Sequence, residues 1–127
     1  MNWKKLRKNI PNKVRVKARQ HYEVLWSEEF WFDEKSQRKT FGITRTYSDK
    51  RAFQDQIVLN NKQSDKETVH TYFHEFIHGI SEHYEVDLTE TQVERLEQSF
   101  SYMLEFFLTL NKSKSNVKSR GKTSGKK

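Results

Sequence analysis

The spacing of apolar residues predicts a helix in the middle of the chain. From residue 69 to residue 80, apolar side chains recur every three or four positions, which places them on one helical face. They are Val69, Phe73, Phe76, Ile77 and Ile80. Ser64 can cap the N-terminus of this helix. Gly79 costs about 1 kcal/mol relative to Ala inside a helix, so we expect another element to approach closely beside it.

A second apolar stripe follows a polar link and predicts a second helix. Thr89 precedes Gln92 by three residues, which is the spacing of a capping box. The stripe consists of Val93, Leu96, Phe100, Met103, Leu104 and Phe107. Because it follows a helical period, we expect this helix to pack against the first.

Before the first helix, apolar and polar residues alternate with the period of strands. Strands are predicted from residue 13, over 21–26, over 40–47 and over 56–60. Residues 27–39 fit no single period, so we expect an irregular loop or a short helical turn. No link between the strands holds a helix long enough for a parallel crossover. The expected class is α+β: a mainly antiparallel sheet of three to four strands followed by two packed helices.

Length and composition restrict the class of protein further. A chain of 127 residues fits one domain, which we place at 13–110. There is no cysteine, which excludes disulfides and thiolate zinc ligands. There is no apolar run long enough to span a bilayer and no apolar N-terminal signal. We therefore expect a cytoplasmic protein with no membrane contact, and we expect it to be a monomer.

The net charge of +7 is concentrated at the two ends of the chain. Residues 1–20 contain eight Lys or Arg and no acid, and residues 111–127 contain seven and no acid. We predict a basic arm over 1–12 and a disordered lysine-rich tail over 111–127, because such a tail buries too little to offset its ordering entropy. Solubilising ends are the expected role. Weak nucleic-acid contact through released counterions is the alternative.

His74, Glu75 and His78 form the motif H-E-x-x-H on the first predicted helix. Residues four apart share a helical face, so both imidazoles can point at one ion. Zinc accepts such nitrogen ligands at about 2.0–2.1 Å. Glu75 projects from the flank of that face, where a carboxylate can act as general base on a water activated by the metal. The motif predicts a hydrolytic zinc site.

A catalytic zinc usually has a third protein ligand, and the second predicted helix offers Glu94 and Glu97. On a helical wheel Glu97 lies nearer the apolar stripe and Glu94 lies further round the flank, so geometry leaves both open. His70 is one turn before His74 and competes as a ligand. A histidine in the first helical turn is more often at the solvent edge, which is the position we expect.

The motif and its surroundings resemble a known family. HEFIHGI, a short acidic link and LTETQVERLEQSF are similar to the small zinc metallopeptidases of phages and bacteria, of the gluzincin type, and TYF and QIVLN match the same layout. The resemblance covers about residues 20–110 and is specific over about 68–100. It implies that Glu94, the glutamate of V-E-R-L, is the third ligand, with Glu97 in reserve.

Together these features predict a zinc metallopeptidase that cleaves a protein or peptide substrate. His74, His78 and Glu94 would hold Zn²⁺, and Glu75 would move the proton. Two alternatives remain. One is a nucleic-acid-associated protein with a structural zinc and functional basic arms, and the other is a relative that retains the fold without activity.

Overall fold

The structure is a computed structural model that describes residues 2–33, 38–48, 51 and 53–125, with the backbone alone for 33, 38 and 111–125. It confirms the α+β class. The elements in chain order are α1 (Trp3–Lys8), β1 (Lys13–Lys17), β2 (Gln20–Ser27), β3 (Trp31–Asp33), β4 (Arg38–Thr40), β5 (Gly42–Arg45), β6 (Gln56–Asn60), α2 (Asp65–His83) and α3 (Glu90–Gly125).

The main sheet has four strands in the order β1-β2-β6-β5, and it is mixed rather than uniformly antiparallel. β1 pairs with β2 and β5 pairs with β6 in antiparallel fashion, whereas β2 and β6 run parallel. A parallel pair needs a connection of about a dozen residues or more, which is usually a helix. Here the chain makes the crossover through β3, β4 and β5 instead. We expected antiparallel pairing because no link holds a helix, but strands can also make the crossover, as they do here.

A second, two-stranded sheet occupies the segment for which we expected a loop or a helical turn. β3 and β4 pair in antiparallel fashion, with Trp31 opposite Thr40. Residues 34–37 of that segment lie outside the described residues. The consecutive aromatic residues conceal any alternation of buried and exposed positions, and Phe32 is indeed exposed. The hairpin could therefore not be recognised from a buried face.

The core lies between the main sheet and α2. Its buried side chains from the strands are Val16, Tyr22, Val24, Ile57 and Leu59, against which Tyr72, Phe76 and Ile80 of α2 pack. The predicted first helix is confirmed, with Ser64 accepting a hydrogen bond from the Glu67 amide as its N-cap. Val69 and Ile77 are fully buried, as the apolar stripe predicts. One face of α2 is thereby fixed on the sheet, and the opposite side is left for the histidines.

The N-terminal residues belong to the folded body rather than to a free basic arm. α1 begins after Asn2, whose side chain accepts a hydrogen bond from the Lys5 amide. Arg7 donates to the main-chain oxygens of Asn61 and Gln63 at 2.7 and 2.8 Å and contacts Asp65 at 3.2 Å. A guanidinium can satisfy several such acceptors at once. Arg7 therefore fixes α1 to the segment that leads into α2.

The second predicted helix is confirmed as α3, but it extends beyond the predicted boundary at residue 110. Its backbone is helical to Gly125, across a segment whose composition predicts disorder, and residues 126–127 lie outside the described residues. Residues 111–120 contain neither Gly nor Pro, so the two strongest stop signals for a helix are absent there. Among the described residues, no helix is both long enough and apolar enough to cross a membrane.

Candidate metal centre

His74 and His78 of α2 point their Nε2 atoms at a common position, as the motif predicts. The two Nε2 atoms are 3.2 Å apart. Two nitrogen ligands of a tetrahedral zinc, each at about 2.0–2.1 Å, are roughly 3.3 Å apart. The rings meet edge to face, with centroids 4.8 Å apart. The spacing of the two nitrogen atoms therefore fits a single zinc ion.

The carboxylate that completes this group is Glu90, at the start of α3. Its Oε1 lies 2.6 Å from Nε2 of His74 and its Oε2 lies 3.3 Å from Nε2 of His78. One ligand atom from each of the three residues falls within 4.8 Å of the others. Two imidazoles and one carboxylate are also a donor set that catalytic zinc uses. The residues present therefore fit the metal that the motif predicts.

Glu94, the expected third ligand, is not part of this group. It is exposed one turn further along α3, on the wall of the same cavity. The centre of the buried face of α3 is marked by Val93 and Ser101. A helix turns about 100° per residue, so Glu94 points further from that centre than Glu90 does. Glu90, which lies in the polar link, was not singled out from the sequence, although that link is short enough to bring the start of α3 close to His78.

Glu97, the reserve ligand, contacts the histidines on the side away from the metal position. Its Oε1 accepts a hydrogen bond from Nδ1 of His74 at 3.1 Å, and its Oε2 lies 3.1 Å from Nδ1 of His70. A carboxylate on the second ring nitrogen fixes the tautomer of a metal ligand and leaves Nε2 free to bind. His70, which we considered as a competing ligand, thus holds Glu97 rather than the metal position.

The electrostatics of the group favour a positive charge. Burial lowers the pKa of His74, but the hydrogen bond to Glu97 and the charges of Glu75 and Glu90 outweigh this and raise that pKa to about 9. Burial also raises the pKa of Glu97, yet its hydrogen bonds with His74 and His70 lower it overall. Carboxylates that attract a proton to a histidine also attract a metal cation. The site is therefore suited to bind a cation.

Glu75 is buried beside the histidines and is oriented by β5. Thr44 lies 2.9 Å from Glu75 Oε1 and 2.8 Å from its main-chain oxygen, so its hydroxyl can donate to either. Burial raises the pKa of Glu75, whereas the charges of His74 and His78 and the Thr44 hydroxyl oppose that rise. A carboxyl group with a raised pKa takes up a proton more readily than an ordinary one, which suits it to proton transfer. Glu75 has the environment of a proton-transfer group.

Gly42 allows this close approach of β5 to α2. A Cβ at this position would lie 2.4 Å from Cγ2 of Thr71 and 3.0 Å from Cγ of Glu75. Real Cβ atoms essentially never lie 2.4 Å from another atom, so a larger residue here would force β5 or the Thr71 side chain to shift. Gly79, for which we expected a close approach, differs. A Cβ there would meet Tyr22 and Val16 at 3.4 Å, which is ordinary contact.

Replacing Gly42 with Ala should lower the free energy of unfolding by about 1–3 kcal/mol because of overpacking. Gly79→Ala is the matched control. It should leave stability unchanged or raise it by up to about 1 kcal/mol, since Ala is the better helix former. Chemical denaturation of both variants beside the parent measures the difference. Equal stability of the two variants would contradict the packing at Gly42.

Two adjoining cavities of about 370 and 380 Å³ meet at this group. Gly42, His74, Glu75 and Glu90 line both. One cavity extends toward Phe41 and His70, and the other extends toward Ile43 and Ser81. Because open space lies on both sides of the candidate metal position, a chain-like ligand can pass across it.

The other histidines lie elsewhere. His83 contacts the buried carboxylate of Asp55 at 3.1 Å and the ring of Tyr22 edge to face, so it joins the end of α2 to the sheet. His21 is on β2 next to Arg15. Neither residue belongs to the candidate metal group, which consists of His74, His78 and Glu90.

Comparison with known proteins returns no relative. No family model matches the chain, and neither does any curated protein or solved structure. The case for a function therefore rests on the residues of the site themselves.

Proposed function

We propose that this chain is a zinc-dependent hydrolase that cleaves peptide bonds. The observation that carries the proposal is the convergence of two histidine Nε2 atoms and the Glu90 carboxylate on one position, with Glu75 buried beside them. These are the components that hydrolytic zinc sites combine: three protein ligands and a separate carboxylate for proton transfer.

His74, His78 and Glu90 would hold the metal. When bound, zinc supplies Lewis acidity, which lowers the pKa of a water ligand towards about 7 and polarises a carbonyl group. Glu97 accepts the hydrogen bond from Nδ1 of His74, so Nε2 is the nitrogen that would release its proton and bind the metal. Because the raised pKa of His74 favours the protonated ring, metal binding would release that proton and should weaken as the pH falls.

Glu75 is proposed as the general base and then the general acid. It takes the proton of the attacking water as the new carbon–oxygen bond forms. It then delivers that proton to the leaving amine as the carbon–nitrogen bond breaks. Thr44 orients the carboxylate, and the bare Cα of Gly42 leaves room for it beside β5.

A peptide is favoured as substrate because of the position of β5. This strand is last in the order of the main sheet, and it borders both cavities. The edge of a sheet can add an extended peptide through main-chain hydrogen bonds. A peptide bound in this way would pass beside Glu75 and the candidate metal position.

The alternative function, a nucleic-acid-associated protein with a purely structural zinc, is less well supported. A structural zinc is generally closed by four protein ligands. The described group has three, and it lies open to two cavities. A structural site would also have no use for a buried proton-transfer group such as Glu75.

Metal removal provides the direct test. The purified chain should contain about one zinc per molecule and should cleave an unstructured protein such as casein. Chelation should abolish cleavage, and added zinc should restore it, because the histidine ligands remain in place. The His78→Ala variant is the control for contaminating proteases and should show neither zinc nor cleavage. Cleavage that is equal in this variant and in the parent would refute the proposal.

A further inference from the structure

Both carboxylate oxygens of Glu97 are in use, and each contacts a different histidine of α2. Oε1 lies 3.1 Å from Nδ1 of His74, and Oε2 lies 3.1 Å from Nδ1 of His70. An ionised carboxylate can only accept hydrogen bonds, so both ring nitrogens must donate. The two histidines are four residues apart on α2, and Glu97 of α3 joins them. The orientation of Glu97 is therefore set by two contacts rather than by one.

His70 is itself held in place by two further contacts. Ser101 Oγ lies 3.4 Å from the same Nδ1 atom, and that hydroxyl also donates to the main-chain oxygen of Glu97 at 3.2 Å. The ring of Trp3 lies against the His70 ring, with centroids 5.5 Å apart and planes inclined by 35°. Aromatic rings at this separation attract one another. His70 is thus fixed by contacts from both α3 and α1.

Trp3 belongs to the segment for which the sequence predicted a free basic arm. It is the first residue of α1, and it is partly buried. The ammonium group of Lys66 on α2 lies 5.9 Å from the centroid of the Trp3 ring, which is within range of a cation–π contact. Near the other end of α1, Arg7 donates to main-chain oxygens of the segment before α2. α1 is therefore attached near both ends, and its first residue is the one that contacts His70.

The contacts of Glu97 are largely shielded from water. The side chains of His70 and Glu97 are 23% and 20% exposed. A hydrogen bond in such a position is stronger than one at the surface because water competes for it less. A free glutamate side chain adopts many rotamers, and fixing one of them has an entropic cost. The contact with His70 offsets that cost, so Glu97 is in position for Nδ1 of His74 before any metal binds.

We propose that His70 and Trp3 are positioning residues of the metal centre. Trp3 holds the His70 ring, and His70 fixes the carboxylate of Glu97. Glu97 in turn orients His74 so that Nε2 faces the metal position. A carboxylate bonded to the second nitrogen of a ligating histidine sets the tautomer and orientation of the ring. The inference rests on the proposed zinc site, and it makes α1 a part of that site although α1 supplies no ligand.

Zinc affinity is the first readout, measured by competition with a chromophoric chelator at fixed pH. His70→Leu keeps an apolar side chain against Trp3 but removes the donor to Glu97. We expect it to weaken zinc binding by about three- to tenfold, less than the 10–100-fold loss that is usual for a partner in direct contact with a ligand. His70→Asn restores a donor near the position of Nδ1, so its affinity should lie within about twofold of the parent.

A double-mutant cycle shows whether His70 acts through Glu97. In a chain that already carries Glu97→Ala, His70→Leu should change zinc affinity by less than about twofold, because the group that His70 positions is absent. Two residues that act independently would instead give losses that add. A histidine that only packs between helices would therefore give the additive result.

Trp3→Ala tests the contribution of α1, and Trp26→Ala is the matched control. The Arg7 guanidinium of α1 lies over the Trp26 ring, 5.5 Å from its centroid, so both substitutions remove a tryptophan that holds α1 on the body. Both should lower the melting temperature. Only Trp3→Ala should also weaken zinc binding, by about threefold, because only Trp3 acts through the chain of contacts that orients a ligand. The affinities are compared at a temperature at which circular dichroism shows every metal-free variant to be folded.

Three results would overturn the positioning role of His70 while leaving the zinc site intact. They are unchanged affinity in His70→Leu, equal losses in His70→Leu and His70→Asn, and additive losses in the double variant. Equal losses in Trp3→Ala and Trp26→Ala would overturn the role of Trp3. A parent chain that binds no zinc would refute the proposed site itself, and this inference with it.

Discussion

Replacing Glu75 with Gln is expected to lower peptide hydrolysis by a factor of about 10²–10⁴, the usual contribution of a general base. Gln preserves the size of the side chain and its hydrogen bond from Thr44, but it cannot accept the proton of the attacking water. Zinc content and melting temperature should remain close to those of the parent, since Glu75 is not among the candidate ligands. The measurements are zinc per chain, thermal unfolding and the initial rate of casein cleavage.

Glu82→Gln is the matched control for this experiment. Glu82 is also on α2 and lines one of the two cavities, but it is exposed. The same chemical change there should leave the rate within about twofold, because an exposed group makes little contribution to proton transfer. Equal rates for Glu75→Gln and the parent would remove Glu75 from the mechanism. Loss of zinc in Glu75→Gln would instead make it a ligand or a support for one.

Substitutions around the metal position should reduce zinc affinity in a definite order. His74→Ala, His78→Ala and Glu90→Gln each remove a ligand and should reduce affinity by more than about 100-fold. Glu97→Gln should cost about 10–100-fold, the usual effect of losing the partner that orients a ligand. Competition with a chromophoric chelator at fixed pH gives all four values.

Glu94→Gln is the control in this series, and it decides between the two glutamates. The resemblance to small metallopeptidases implies Glu94 as the third ligand, whereas the structure brings Glu90 to the histidines. If Glu90 is the ligand, Glu94→Gln should keep nearly full affinity, since its exposed carboxylate contributes only a screened charge. A large loss in Glu94→Gln beside a small one in Glu90→Gln would reverse the assignment.

The parts of the fold that could be predicted from the sequence are those in which apolar residues recur with a regular period. α2 and α3 follow from apolar residues at threes and fours, and β2 and β6 follow from dense β-branched and aromatic content. The β3–β4 hairpin and the parallel pairing of β2 with β6 were missed. The parallel pairing depends on which strands meet after a long excursion of the chain, and such a contact leaves no local pattern in the sequence. The hairpin joins neighbouring strands, but its consecutive aromatic residues conceal the alternation of a strand.

The same division applies to the site. The sequence by itself determined the pair His74 and His78 with Glu75 between them, because four residues along one helix fix their relative positions. Tertiary structure decided which carboxylate lies nearest the Nε2 atoms of the two histidines and which group contacts Nδ1 of His74. Glu90, Glu94 and Glu97 lie within about two turns of one helical side, so a difference of a few tens of degrees in how α3 faces α2 determines which of them reaches the histidines. Tertiary structure also decided that part of the apolar stripe of α3 is exposed. The helical spacing of apolar residues predicts which of them share a face, but it does not predict what covers that face.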